Sequence, residues 1–243
     1  MNNIDQLIKN ALYEDSPHGD ITQECLGADH SLCTAKLISK QTGVFCGELI
    51  INACATIAGD DMKPQVHVKD GQSISNKMVL AELMGHGSSL LRIERVMLNF
   101  IQRLSGIATI THQFVTALNN PNIQVLDTRK TTPGLRFLEK YAVMNGGGFN
   151  HRDSLSDMVL IKENHLRHFL IESDMTQLGE KIAIFKEKKP NVKIEVEVES
   201  YDQLTHLPLA GVDYIMLDNF VSDDIPKSTG LIRDKYPKAK IEL

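Results

Sequence analysis

Beyond roughly residue 120, the sequence alternates short apolar runs with helical stretches, and this alternation constrains the fold more than any other feature. The apolar runs are residues 123–126, 158–161, 192–198, 214–217 and 239–243. Such a repeated strand–helix pattern predicts a sheet of parallel strands, because parallel neighbours need a crossover between them. The second half of the chain is therefore predicted to be an α/β domain of (β/α)-barrel type.

Charged and polar residues directly follow four of these predicted strands. Asp127, Arg129 and Lys130 follow the first, Lys162 and Glu163 the second, Glu197 and Glu199 the third, and Asp218 and Asn219 the fourth. The carboxyl ends of parallel strands are where α/β barrels and open α/β sheets bind ligands. Core packing needs none of these charges, so the pattern predicts a binding site at this end of the sheet.

The third run carries a regular alternation of charge. Glu195, Glu197 and Glu199 occupy every second position, so a strand would place their carboxylates on one face. That face is either solvated or, in a barrel, turned toward the interior, where carboxylates need cations or a metal. The sequence leaves both alternatives open.

The first half of the chain predicts a mixed α+β domain. Helices are expected at residues 3–13 and 48–57, the second ending at Gly59, and strands at 34–38, 65–68 and 78–84. We predict an N-terminal α+β sandwich-like domain over residues 1–110 and a catalytic α/β-barrel domain over residues 111–243.

A longer helix is predicted to begin at a cap formed by Ser88 or Ser89 and to run to about Leu104. Its apolar stripe consists of Ile93, Val96, Met97, Phe100, Ile101 and Leu104. Three arginines, Arg92, Arg95 and Arg103, lie off that stripe. A solvated helix face is their simplest explanation.

Cationic side chains are concentrated in residues 127–164, although the whole protein has a formal net charge of -5. They are Arg129, Lys130, Arg136, Lys140, His151, Arg152 and Lys162. A local cationic pocket in an acidic protein suits a small polyanion with carboxylates or phosphates and argues against a nucleic-acid partner.

The N-terminus and the cysteines indicate the compartment. The first ten residues lack the apolar core of a signal peptide, and no apolar run approaches the roughly 18 residues of a membrane span. Cys25, Cys33, Cys46 and Cys54 form no CxxC motif and are expected to be reduced thiols, neither disulfide-bonded nor zinc-bound. We therefore predict a cytoplasmic protein without a membrane segment.

Two local motifs admit structural and functional interpretations together. Thr132 and Pro133 suit the start of a helix, and a helix N-terminus also attracts anions. The glycines at residues 146–148 suit a helix end, but three exceed what a cap requires, and we predict close backbone approach to a ligand. His151 and His165, taken singly, fit structural roles.

Several blocks of this sequence resemble the quinolinate phosphoribosyltransferase family, also called nicotinate-nucleotide pyrophosphorylase (carboxylating). The blocks are EDSPHGDIT, ERVMLNFIQRLSGIAT, DTRKTTPGLRFLEKYAV, GGGFNHR, LSDMVLIKENH, EVEVES and IMLDNF, and they span essentially the whole chain. The resemblance implies transfer of a phosphoribosyl group from phosphoribosyl pyrophosphate to quinolinate. The implied products are nicotinate mononucleotide, pyrophosphate and CO2, in de novo NAD biosynthesis.

The resemblance also implies roles for individual residues. Arg129, His151, Arg152 and Lys162 would hold the quinolinate carboxylates, with Lys130 between quinolinate and the sugar substrate, and Thr131 would match a threonine of the same loop. Glu197 and Asp218 would handle the ribose hydroxyls and Mg2+. Arg95 would reach into the site of the neighbouring subunit, which implies a homodimer and leaves a higher oligomer open.

The sequence departs from the family pattern at its C-terminus, where a serine-glycine-glycine phosphate loop and further elements are expected. About five strand–helix units follow residue 122, whereas a closed barrel has eight in about 250 residues. The barrel is therefore predicted to be incomplete, with weak binding of phosphoribosyl pyrophosphate. Two alternatives remain at this point: a non-catalytic small-anion binder, and a relative of the molybdenum-transport protein ModD, which shares the fold and several blocks.

Overall fold

The computed structural model describes residues 3–27, 31–169, 175–208 and 211–243. The chain divides into two compact units, Met1–His151 and Arg152–Leu243, each with its own hydrophobic core. The boundary proposed between residues 110 and 111 lies within a continuous helix, and a domain division at that point stays a prediction.

The described part of the first unit combines helices with two small antiparallel sheets, which confirms the predicted α+β character. Its elements are α1 (Asn3–Asp15), α2 (Ile21–Leu26), β1 (Leu32–Ile38), β2 (Gly43–Val44), α3 (Glu48–Ala58), β3 (Lys63–Val66), β4 (Ser73–Ile74), β5 (Val79–His86), α4 (Gly87–Leu118) and α5 (Arg136–Asn145). Strands β1, β5 and β3 form one sheet in that order, and β2 pairs with β4.

Helix α3 illustrates how sequence signals and long-range contacts combine. Gly59 ends the helix, as predicted. Its beginning is capped by the distant Asp70, whose Oδ1 accepts the backbone N–H groups of Gly47 at 2.6 Å and Glu48 at 2.9 Å. The other oxygen of Asp70 accepts the Tyr141 hydroxyl at 2.7 Å, so one carboxylate links α3 to α5.

The four cysteines lie in two different environments. All four are free thiols, with Cys25 and Cys33 exposed and Cys46 and Cys54 buried. Burial, with a contribution from Asp70, raises the pKa of Cys46 to about 12, and burial raises the pKa of Cys54 to about 12. Both buried thiols therefore remain protonated and act as small apolar core residues.

Helix α4 is longer than the sequence indicated. It has 32 residues, begins at Gly87 and continues to Leu118, so the predicted cap at Ser88 or Ser89 and the predicted end near Leu104 were wrong. The apolar spacing does not stop at Gly106, because Ala108 and Thr111 are also buried. None of the helices in the described ranges, α4 included, has both the length and the apolarity that crossing a bilayer requires.

Two predicted elements near the start of the second half differ in the structure. The predicted strand at residues 123–126 reduces to a single parallel bridge between Leu126 and Phe149. The ladder cannot extend, because the next N–H group, that of His151, donates to the Asp127 side chain. The predicted helix start at Thr132 was also wrong: Gly134 has a φ of 81°, which no helix accommodates, and α5 begins at Arg136.

The second unit is a parallel sheet with helical crossovers, as the apolar alternation predicted. Its elements are β6 (Val159–Ile161), α6 (Glu163–His168), α7 (Met175–Lys188), β7 (Ile194–Val198), α8 (Tyr201–His206), β8 (Tyr214–Leu217), a 3-10 turn (Ser222–Asp224), α9 (Ile225–Lys235) and β9 (Lys240–Glu242). The strands pair in chain order, β6-β7-β8-β9, and all pairs are parallel. Strand order without reversal is the winding of a (β/α) barrel and differs from a doubly wound sheet.

Candidate active site

Three predicted site residues lie just beyond or at the carboxyl ends of neighbouring strands in the second unit. Lys162 follows β6, Glu197 lies near the end of β7, and Asp218 follows β8. The ladder continues to this edge, because the Asp218 N–H donates to the Val198 carbonyl oxygen at 2.9 Å. Parallel pairing in chain order therefore aligns these charged residues along one edge of the sheet, as the sequence predicted.

Lys162 and Glu197 form an ion pair across the adjacent strands β6 and β7. Lys162 Nζ lies 2.5 Å from Glu197 Oε2, and the exposed fractions of the two side chains are 39% and 4%. Glu195 shares the face of Glu197 and is fully buried, whereas Glu199 lies beyond the strand end and is exposed. The face that carries Glu195, Glu197 and Glu199 was expected to be either solvated or buried against a cation. For Glu197 the second alternative holds, because this carboxylate is buried and paired with Lys162.

The neighbouring groups leave Asp218 more accessible. It is half-buried and accepts a hydrogen bond from the Asn219 amide at 2.8 Å. Glu197 and Asp218 offer carboxylate oxygens at adjacent strand ends, the donor type that Mg2+ prefers. The residues present therefore fit a magnesium site, although Lys162 already occupies one oxygen of Glu197.

His165 and Arg152 both contact backbone groups of the second unit. His165 Nδ1 accepts the backbone N–H of Lys162 at 2.9 Å, so this side chain caps α6, in agreement with the structural interpretation. Arg152 is half-buried, and its Nη1 lies 3.4 Å from the Met158 carbonyl oxygen.

In the first unit, Arg129, Lys130 and Thr131 lie in a segment without regular secondary structure. Short local contacts shape it: the Lys130 N–H donates to the Thr128 hydroxyl and the Thr131 N–H to the Arg129 carbonyl, both at 2.9 Å. Lys130 is exposed, whereas Arg129 is half-buried and its Nε has no hydrogen-bond partner within the described residues. A buried guanidinium donor without an acceptor is costly, and a ligand carboxylate would satisfy it.

Helix α5 braces this segment through two of the cations that were expected to suit a ligand. Lys140 is buried and paired with Asp127 at 2.5 Å. Arg136 Nε donates to the Thr131 hydroxyl at 3.2 Å. The i, i+4 spacing of Arg136 and Lys140 was visible in the sequence, but their burial and partners were not.

Glu139 anchors the other end of the same segment. It accepts the Thr132 N–H at 3.2 Å and is ion-paired with Arg103 of α4, which also contacts the Thr132 hydroxyl. Burial alone would raise the pKa of Glu139, but the hydrogen bonds from Arg103 and Thr132 hold that pKa below its usual value. Arg103 is exposed, as the solvated-face explanation expected, but its guanidinium also bridges α4, α5 and the loop.

The remaining features separate packing from ligand binding. A Cβ on Gly146 would lie 2.5 Å from the Ala108 carbonyl oxygen, and one on Gly148 would lie 2.8 Å from Thr111 Cγ2. These glycines therefore allow close packing against α4, which explains them without a ligand. Arg95 is exposed on α4, off the buried stripe as predicted.

The predicted residues fall into two groups, one in each unit. Arg95, Arg129, Lys130, Thr131 and His151 belong to the first unit, and Arg152, Lys162, Glu197 and Asp218 to the second. The first group offers cations suited to carboxylates. The second offers cations together with the carboxylates that can hold a metal or hydroxyl groups.

Comparisons with known proteins identify the family of this chain. The family model described as quinolinate phosphoribosyl transferase, N-terminal domain, matches residues 20–105, and the corresponding C-terminal domain matches residues 107–243. A Bacillus subtilis (strain 168) protein named probable nicotinate-nucleotide pyrophosphorylase (carboxylating) is 40% identical over 226 residues, covering 91% of this chain and 75% of that protein.

Solved structures agree equally well. The crystal structure of NadC from Streptococcus pyogenes is 37% identical, with a TM-score of 0.88, covering 98% of this chain and 81% of that one. The nicotinate-nucleotide pyrophosphorylase from Francisella tularensis is 34% identical, with a TM-score of 0.87, covering 99% of this chain and 82% of that one. With both family domains matched and the fold shared, this chain belongs to the quinolinate phosphoribosyltransferase family.

Proposed function

We propose that this protein is a quinolinate phosphoribosyltransferase, a pentosyltransferase of NAD biosynthesis. The reaction converts quinolinate and phosphoribosyl pyrophosphate into nicotinate mononucleotide, pyrophosphate and CO2. One observation carries the proposal: in a chain matched by both family domains, Lys162, Glu197 and Asp218 stand at the carboxyl ends of successive parallel strands. That edge is where such sheets bind their substrates.

Quinolinate is a dianion, and the proposed binding groups are cations. Arg129, His151, Arg152 and Lys162 would hold its two carboxylates. The unsatisfied Nε of Arg129 supports this role, because a guanidinium can donate two parallel hydrogen bonds to one carboxylate. Fixing both carboxylates orients the ring nitrogen toward the anomeric carbon of the ribose and lowers the entropic part of the barrier.

Lys130 and Thr131 are proposed to lie between the two substrates. Lys130 is exposed and able to reach an anion, and the Thr131 hydroxyl accepts a hydrogen bond from Arg136. That bond orients the hydroxyl so that its own proton is available to an acceptor. Arg95, exposed on α4, is proposed to enter the site of a neighbouring subunit, which makes the functional enzyme a homodimer.

Glu197 and Asp218 are proposed to bind the ribose hydroxyls and Mg2+. When bound, the cation would neutralise charge on the departing pyrophosphate. The two carboxylates would also stabilise the positive charge that develops on the ribose as the bond to pyrophosphate lengthens. No aromatic or thiol group is needed for either role.

Decarboxylation follows from the same arrangement of charges. The ring nitrogen forms a bond to the anomeric carbon, and pyrophosphate leaves. The ring is then cationic and can accept the electron pair released when the C2 carboxylate departs as CO2, and a proton takes its place. The residues proposed to hold that carboxylate must therefore release it, whereas those on the other carboxylate keep their contacts.

We also propose a cytoplasmic location, since both substrates are small charged metabolites.

The direct test is formation of nicotinate mononucleotide from quinolinate, phosphoribosyl pyrophosphate and Mg2+ by the purified chain. The proposal expects product that depends on all three. Binding of quinolinate without any product would instead favour a non-catalytic anion binder, and absence of both would refute the proposal. Omitting Mg2+ tests the metal role separately.

Arg129→Ala tests the proposed carboxylate contact. We expect quinolinate affinity to fall by about 2–3 kcal/mol, the value of a charge-assisted hydrogen-bonded pair, with the fold retained. Arg233→Ala is the matched control, because Arg233 is an exposed arginine in the last turn of α9. Equal affinity of the two variants in a calorimetric titration would contradict the assignment of Arg129.

A further inference from the structure

The most completely buried ion pair described in the first unit lies outside the groups proposed to touch substrate. Lys140 of α5 and Asp127 are 2.5 Å apart, and the exposed fractions of their side chains are 4% and 6%. Removing two charges from water costs several kcal/mol for each ion, so such a pair adds little net stability. Its value must therefore be sought in the geometry that it fixes.

The pair holds both backbone polar groups of His151. The His151 N–H donates to Asp127 Oδ1 at 2.9 Å, and Lys140 Nζ donates to the His151 carbonyl oxygen at 3.0 Å. The Asn150 amide, oriented with its nitrogen toward Asp127, donates to Oδ2 at 2.6 Å. Almost every hydrogen-bonding position of the carboxylate is thus directed at residues 150–151 and at α5.

The same carboxylate lies two residues before Arg129. The segment between them has no helix or strand, so its path depends on where its ends are held. Asp127 also belongs to the short parallel pairing with residues 149–151, since its N–H donates to the Phe149 carbonyl oxygen at 3.1 Å. Lys140 therefore sits where the two segments that carry Arg129 and His151 meet.

We propose that Lys140, through its ion pair with Asp127, is a positioning residue that sets Arg129 and His151 for binding the quinolinate carboxylates. The inference rests on the proposed function, because it assigns a role within that same site. Lys140 contacts no substrate; it acts by holding the backbone of His151 and the start of the Arg129 segment. A misplaced guanidinium loses charge-assisted hydrogen bonds, each worth about 10- to 100-fold in affinity, so a brace at this place is expected to affect binding strongly.

The test compares quinolinate binding by calorimetry in the wild type, Lys140→Met and the double variant Lys140→Met/Asp127→Asn. Methionine keeps the length of the side chain and removes its charge and donors. The double variant leaves no unpaired buried charge, and the amide oxygen of the introduced asparagine can still accept the His151 N–H, so its stability should recover. We expect the dissociation constant for quinolinate to rise about 10- to 100-fold in both variants, with the number of binding sites unchanged.

A purely structural role predicts a different pattern. Partial unfolding lowers the number of competent sites and leaves the dissociation constant as it was, and recovered stability in the double variant would restore binding. Lys186→Met is the control, because it also removes a lysine paired with an aspartate, Asp213, at 2.7 Å, in a pair whose lysine is 22% exposed. We expect its quinolinate dissociation constant to remain within about 2-fold of the wild type, because Asp213 precedes β8 and so lies at the opposite end of that strand from Asp218.

The outcomes separate the two levels of inference. If the wild type binds quinolinate and both Lys140 variants bind it equally well, the positioning role is refuted and the proposed function stands. If Lys186→Met weakens binding as much as Lys140→Met does, the effect is general destabilisation and the positioning role is again refuted. A wild-type protein that binds no quinolinate would refute the proposed function and this inference with it.

Discussion

Replacing Gly146 by alanine gives a direct test of how α5 ends against α4. The added Cβ would lie 2.5 Å from the Ala108 carbonyl oxygen and 2.6 Å from Thr111 Cβ. Neither atom can move away by rotation of a side chain, because the first belongs to the backbone of α4 and the second is fixed to it. Gly146 has φ of −80°, so alanine adds no backbone strain and the cost is purely steric.

The overlap requires α5 to shift away from α4, and overpacking of this kind costs about 3 kcal/mol. For a chain of this length, that loss corresponds to a decrease in Tm of about 6–12 °C. Gly106→Ala is the control: this glycine lies in the middle of α4, and apart from its own stretch of helix no atom of the described residues lies within 4 Å of the position that an added Cβ would take. Alanine there should raise the free energy of unfolding by about 0.5–1 kcal/mol, because it favours the helix.

Thermal and urea unfolding of the two variants therefore should show shifts of opposite sign. If Gly146→Ala unfolds at the wild-type temperature, the close helix contact does not explain this glycine. The prediction from the sequence, that residues 146–148 are glycine to let a ligand approach the backbone, would then regain its support. Quinolinate binding by the same variant would decide between them.

Two further predictions concern ion pairs in the second unit. Lys162→Met leaves the buried Glu197 carboxylate without its partner, and the free energy of unfolding should fall by about 2 kcal/mol. This is less than the roughly 3–5 kcal/mol of a fully buried pair, because water reaches Lys162. Chemical denaturation should show that adding Glu197→Gln recovers most of the loss. Burial alone would raise the pKa of Asp213, but hydrogen bonds from Lys186 and Lys193 hold that pKa below its usual value of 3.8. The ionised Asp213 therefore stabilises the fold above pH 3.8, and this stabilisation is lost as the pH falls through the folded-state pKa. Asp213→Asn should therefore be less stable than the wild type at pH 7 by about 1–2 kcal/mol, and a pH series of urea melts should show this deficit disappearing at the acid end.

The parts of the fold that the sequence predicted are those decided by burial along a single element. The run at residues 214–217 coincides with β8, and Gly59 ends α3, because each signal is local. The errors occur where a distant partner decides. The strand expected at residues 123–126 is limited to one bridge, and α5 starts four residues after Thr132, since Glu139 and Arg103 engage that threonine instead.

The candidate site divides in the same way. The rule that ligands bind at the carboxyl ends of parallel strands identified Lys162, Glu197 and Asp218 from order alone. The rule says nothing about charged helix residues with partners far away in sequence. Lys140 is paired with Asp127, 13 positions away, and Glu139 with Arg103, 36 positions away. Helical periodicity assigns such residues to the solvent face, and only the folded chain reveals that they are buried.

The ion pairs Lys140–Asp127 and Lys162–Glu197 show why cations close in sequence need not act alike. Asp127 and Lys140 are both almost fully buried, so if either formed a bond to another group, its former partner would be left as an unpaired buried charge. The pair is therefore suited to hold a fixed geometry. Lys162 is 39% exposed while its partner Glu197 is buried, so a dissolved anion can reach the ammonium group from the solvent side. Under the proposed function, a substrate carboxylate that takes Lys162 weakens its hold on Glu197 and makes that carboxylate available to Mg2+ or a ribose hydroxyl. Binding of one substrate would then prepare the group that receives the other, and the accessible pair is the one that can make this exchange.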